Sequence, residues 1–86
     1  MIEITYDQEA YLLEQSIDLG SVTYNLRFKK NSYDGATYLD IRDSEGLEVA
    51  LGVKIVPDVD LLAPYPSKGK PSGTLIALED GRLFYQ

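Results

Sequence analysis

Asp58 and Asp60, alternate carboxylates in "PDVDLLAPY", and Asp80 further on come nearest to spacing that does chemistry. Alternating carboxylates are how a calcium loop begins. Such a loop goes on to further oxygen ligands, a turn glycine and a closing bidentate glutamate, whereas this run breaks off after two. The plainer reading makes Asp58 a turn residue after Pro57. Asp60 then caps a single helical turn of Leu61, Leu62 and Ala63, which Pro64 stops.

Asp40 with Asp43, and Glu45 with Glu48, are the residue types a glycoside hydrolase pairs. Fourteen acidic residues in a chain of 86 bring such neighbours together by chance. Nothing in the pattern builds a cleft that would raise one pKa above the other, so a solvated face is expected. Histidine and cysteine are both absent. Their absence removes the usual general base near neutral pH, Ser-His-Asp arrangements, thiolate metal sites and disulfides. "PSKGKPSG" holds glycine and lysine without the spacing of a phosphate loop, and no helix follows to present N–H groups. It reads as a proline-stiffened loop. No catalytic, cofactor-binding or metal residue is assigned, and the chain is not expected to be an enzyme.

A formal net charge of −6 opposes binding to a polyanion, so nucleic acid is not an expected partner. Arg27, Lys29 and Lys30 sit on the polar side and exit of a strand, where charge commonly guards a sheet against edge pairing. No apolar run reaches the roughly 18 residues that cross a bilayer, and "MIEITYDQEA" has no positively charged or apolar leader pattern. A soluble chain made in the cytoplasm, with no membrane partner, is expected. The missing cysteines fit a reducing compartment. The length suits one β domain over residues 1–86, burying roughly 60–65% of its unfolded surface.

The elements that must position these residues read as strands. "VTYNLRFKK" (22–30) places Val22, Tyr24, Leu26 and Phe28 on one face and Thr23, Asn25, Arg27 and Lys29 on the other. "LEVALGVKIV" (47–56) repeats the period with Leu47, Val49, Leu51, Val53 and Ile55 inward. Ala50, Gly52 and Val56 then make its outer face unusually apolar. "TYLDIRD", "IEITY", "TLIALE" (74–79) and "LFYQ" (83–86) read as further strands. Over residues 9–19, Tyr11, Leu13, Ile17 and Leu19 keep strand parity, and a strand is favoured over a short helix on Ala10, Leu13 and Ile17. Gly20-Ser21, Asp34-Gly35, "DSEG" (43–46) and Asp80-Gly81 supply hairpin turns. The expected fold is all-β. It is a small antiparallel meander of about six to seven short strands, closing into a barrel or sandwich, with one long irregular connection at 57–73.

Seven tyrosines remain. Tyr33 lies in a loop, Tyr65 between prolines and Tyr85 near the end, and amphipathic rings at exposed positions are enriched in interfaces. With Leu61 and Leu62 they point to a surface that meets another protein.

The order of these features resembles a family of small baseplate plug proteins of contractile-tailed, cyanophage-like bacteriophages. The similarity runs from "YNLRF" through the Asp34-Gly35 turn, "YLDI" and "DSEG" to the apolar strand, and over roughly residues 22–80. Its most specific part is "DVDLLAPY" followed by "GTLIAL". The lysine-bearing "SKGK" departs from the family's shorter, more apolar connection. The resemblance implies a structural component of a virion tail baseplate, synthesised in the bacterial host cytoplasm and seated among hub and tail proteins, without catalysis or cofactor. Any homo-oligomer would form only within that assembly. Asp60, Leu61, Leu62, Pro64 and Tyr65 carry over as motif positions for a partner interface. Whether they touch a partner or lock their own loop stays open, as does an alternative function: a small β binding module for a host protein or carbohydrate, using exposed tyrosines.

Overall fold

The computed structural model describes residues 2–65 and 71–86. Seven strands follow one another: β1 (Ile2–Ile4), β2 (Leu12–Leu19), β3 (Val22–Lys30), β4 (Thr37–Asp43), β5 (Glu48–Lys54), β6 (Leu75–Ala77) and β7 (Leu83–Tyr85). No described residue is helical, so the chain is all-β and the 9–19 segment contributes a strand.

Local chemistry sets the hairpins. Gly20 and Ser21 both take positive φ, 62° and 70°. Two left-handed residues make the tight turn whose twist suits flanking strands, and β2 and β3 then pair one for one from Leu19↔Val22 to Leu12↔Lys29. Between β3 and β4, Asn31 and Asp34 carboxamide and carboxylate oxygens accept the N–H groups of Tyr33 and Ala36 at 2.7 and 2.9 Å. Between β4 and β5, one Asp43 oxygen takes the N–H groups of Glu45 and Leu47, both at 2.9 Å. Such side-chain turns replace ladder bonds where the chain reverses.

The strands form two antiparallel sheets, ordered β2-β3-β4-β5 and β1-β7-β6. Among the described residues neither sheet closes into a barrel. Both contribute to one apolar core. Leu26, Phe28, Leu39 and Ile41 come from the larger sheet and Ile4, Leu75 and Leu83 from the smaller. Each fully buried side chain of this size stabilises the fold by about 1.5–3 kcal/mol. Tyr6 stacks on Phe28 with ring centroids 4.3 Å apart, and its hydroxyl donates to the Gly81 carbonyl at 2.7 Å.

β5 departs from simple alternation. Glu48 pairs with Arg42 and Ala50 with Ile41, leaving Val49 extra; Val53 then pairs with Leu39, so Leu51 and Gly52 together face Asp40. Each bulge shifts the facing of the residues beyond it by one. Leu51 is therefore 40% exposed, and Leu47, just ahead of the strand, is 63% exposed, both contrary to the inward facing their spacing suggests. Ala50, expected outside, lies in the core beside Val53. Gly52 makes the second bulge feasible by taking φ +67°.

Candidate interface and the loop that carries it

The connection after β5 is built from short-range chemistry laid along β6. Pro57 bridges Ala77, and the Asp58 N–H donates to the Ala77 carbonyl at 3.0 Å. Asp58 sits at φ 65°, a conformation that aspartate tolerates better than most side chains. Asp60 bridges Ile76, and the Leu61 N–H donates to the Leu75 carbonyl at 2.8 Å. Asp60 Oδ1 then accepts two N–H groups, from Leu62 at 3.1 Å and Leu75 at 3.2 Å. One carboxylate thus caps the turn that follows and ties it to β6. The turn continues as the Ala63 and Tyr65 N–H groups donate to the carbonyls of Asp60 and Leu62 at 3.2 and 3.1 Å.

This arrangement separates the five motif residues. Leu61 and Leu62 point into the core, Leu62 with 0% exposure. Asp60 spends its carboxylate on its own loop and on β6. Pro64 is exposed, and Tyr65 is half-buried against the core with its hydroxyl 3.4 Å from the Leu51 carbonyl on β5. The outward surface of the loop consists of Pro57, Asp58, Val59, Ala63, Pro64 and part of Tyr65.

"SKGK" and Pro66 lie outside the described residues. Pro71 is fully buried, and past it the Gly73 N–H donates to the Tyr85 hydroxyl at 2.9 Å. A Cβ at Gly73 would run into the Gln86 carbonyl and the Tyr85 ring, so only glycine lets the chain pass this close. Thr74 and Gln86 then exchange N–H···O bonds of 2.7 and 3.0 Å, which aligns β6 with β7. Tyr85 is accordingly buried, a correction to its expected place on the surface. Tyr33 is 99% exposed.

The outer face of the larger sheet carries the other charged side chains singled out by spacing. Asp40 and Asp43 do not form a pair at work on one substrate. Asp43 holds its turn. Asp40, expected on a solvated face, is 6% exposed. Its Oδ2 lies 3.1 Å from Lys29 Nζ and its Oδ1 accepts the Gly52 N–H at 2.8 Å. Burial pushes the Asp40 carboxyl up, but the Gly52 N–H, the Lys29 ammonium and the charge of Arg42 outweigh it and hold the group below its ordinary value. An open concavity of about 350 Å³ beside this pair is lined by Lys29, Lys30, Asn31, Tyr38 and Gly52. Among the described residues no three acidic side chains gather where a metal ion would be held, and Asp58, Asp60 and Asp80 do not converge.

A family model described as "Cyanophage baseplate Pam3 plug gp18" matches residues 1–83. The chain belongs to the cyanophage baseplate plug family. No curated protein matches it. The plug match takes in β1 to β6, the whole 57–73 connection and the first residue of β7. It therefore covers β1 and β2 as well as the 22–80 region where the motif resemblance lies. A baseplate plug family implies contact with other baseplate proteins. Spacing alone did not reveal that Asp40, Lys29 and Gly52 meet. The available signal was a glycine inside an apolar strand, which commonly marks a bulge.

Proposed function

We propose that this plug-family chain is a structural, hub-associated component of a phage or prophage tail baseplate that acts through contact and without catalysis. It would be made in the bacterial host cytoplasm and work as one β domain, its two sheets packed as a sandwich. The observation that carries this reading is the family match across residues 1–83. The proposed docking surface for hub and tail proteins is the 57–65 loop. Pro64 and Tyr65 supply contact, while Asp60, Leu61 and Leu62 hold the loop rigid, which lowers the entropy cost of docking. Copies of the chain would meet one another only within the assembly.

The test is to induce the source phage or prophage with a tagged copy and follow it by gradient sedimentation and mass spectrometry. Travel with intact tails at a fixed low copy number supports the reading. Tails that form normally without the protein, while it stays wholly in the soluble fraction, would overturn it.

A further inference from the structure

A sheet edge offers a row of unpaired backbone groups, and proteins usually blunt it. Among the described residues the two sheets have four edges, and three of them are blunted. β5 carries two bulges, and its Leu51 carbonyl lies 3.4 Å from the Tyr65 hydroxyl. β6 is covered by the Pro57 and Asp60 bridges. β1 is three residues long. β2 is different. It runs for eight residues in unbroken register with β3, without proline, glycine, lysine or bulge.

The hairpin geometry identifies its free groups. The two-residue turn makes Leu19 and Val22 a hydrogen-bonded pair, and the Lys30 N–H donates to the Tyr11 carbonyl at 2.9 Å at the far end. Odd-numbered residues of β2 therefore bond β3, and the N–H and C=O groups of Leu12, Glu14, Ser16 and Asp18 face away. Among the described residues nothing bonds to these backbone groups from outside the hairpin. On the core side of β2 Leu19 is buried, but Leu13 and Ile17 are only half-buried although they pack on the core. One further strand alongside would complete both the ladder and the apolar cover.

Charge narrows the occupant. Glu3, Asp7, Glu9, Glu14 and Asp18 are the only charged side chains before Arg27. Arg27 Nε stands 3.5 Å from Glu14, and Lys29, opposite Leu12, is drawn to Asp40. β2 itself presents only acids. A second copy suits this edge poorly. Antiparallel pairing centred on Ser16 sets Glu14 against Asp18 of the other copy, pairing centred on Glu14 sets two glutamates together, and pairing centred on Gln15 still leaves each Glu14 diagonal to Glu14 and Asp18 of the other copy.

We propose that the free edge of β2 accepts an extended strand from a different protein, with basic residues beside Glu14 and Asp18 alternating with apolar residues beside Leu13 and Ile17. This is strand addition, in which backbone bonds give affinity and alternate side chains give specificity. β2 and the Tyr65-capped β5 are opposite edges of the sheet, so the inference does not rest on the 57–65 loop being a docking surface.

The test is a nuclear magnetic resonance titration of the isotope-labelled chain with a peptide of about eight residues that alternates valine and lysine, the length of β2. Its control replaces lysine by glutamate. The expected result is shifts confined to β2 and its neighbours, and slowed hydrogen exchange at the amides of Leu12, Glu14, Ser16 and Asp18, with the lysine peptide alone. Ser16→Pro removes an outward donor and leaves the β2–β3 bonds intact, so it should weaken binding by about tenfold or more. Should Ser16→Pro not fold, the double variant Glu14→Lys with Asp18→Lys serves instead and should transfer binding to the glutamate peptide. No binding, equal binding of both peptides or shifts centred elsewhere would overturn the proposal. Self-association of the peptide-free chain that Ser16→Pro abolishes would assign the edge to a second copy and overturn it too.

Discussion

The Asp60 carboxylate accepts the Leu75 N–H at 3.2 Å across 15 positions of sequence, and with the same oxygen it holds the Leu62 N–H. One side chain thus joins the closing sheet to the motif loop, beside the backbone bonds of Asp58 and Leu61 to β6. Asp60→Ala leaves two N–H groups without their acceptor, and the expected loss in urea unfolding is about 2–4 kcal/mol. Asp60→Asn keeps an oxygen in place and should recover most of it. An alanine variant as stable as the parent would show that the loop is held by its leucines alone.

Two glycines should differ for different reasons. At Gly52 a Cβ meets nothing within 4 Å, so Gly52→Ala bears only the conformational cost of φ +67°, about 1–2 kcal/mol. Gly52→Asn should be milder. At Gly73 a Cβ meets the Gln86 backbone and the Tyr85 ring, so Gly73→Ala must displace the Thr74–Gln86 pair and should destabilise more. Thermal melts of the three variants give the order directly, and Gly52→Ala falling below Gly73→Ala would contradict it.

Asp40 should make part of the stability depend on acid. Its folded carboxyl is held below the ordinary value of 3.8, so its contribution is fully present above that value and is lost as pH falls through the lower folded value. The gap in unfolding free energy between the parent and Asp40→Asn should be constant from neutral pH down to the ordinary carboxylate range and close on its acid side. Asp34 and Asp80 are lowered too, chiefly by the Ala36 and Arg82 N–H groups. They titrate in both proteins and cancel in the difference. A gap that persists unchanged at the acid end would mean Asp40 acts by packing alone.

What could be read from spacing was local. β3 and β4 alternate cleanly because they pair with each other in unbroken register and the extra residues of both bulges lie on β5, so Leu26, Phe28, Leu39 and Ile41 are legible as core. The same period misled in β5, since a bulge is a relation between two strands and parity counts only one. The sequence places Asp40 on the outer face, where it lies, but its burial depends on Lys29 and Gly52 arriving from strands on either side. The Asp60 cap was legible because it spans two residues. The inward turn of Leu61 and Leu62 is not legible locally, because it depends on residues 57–61 running along β6, a contact across the long connection. The burial of Tyr85 escapes spacing for a similar reason: its hydroxyl accepts the N–H of Gly73, twelve residues back.

The separation of core from surface within the 57–65 loop gives the sharpest test of the proposed docking role. Leu62 has no exposure, so Leu62→Ala should cost about 2–5 kcal/mol and Leu62→Asp should prevent stable folding. Any assembly defect in those variants follows from the lost fold. Val59 and Pro64 are exposed, so Val59→Asp combined with Pro64→Ser should leave the melting temperature near that of the parent. If the loop docks against hub or tail proteins, the exposed double variant should be depleted from sedimented tails despite its stability. Incorporation equal to the parent would restrict the motif to locking its own chain and move the contact surface elsewhere, with the β2 edge the next region to test.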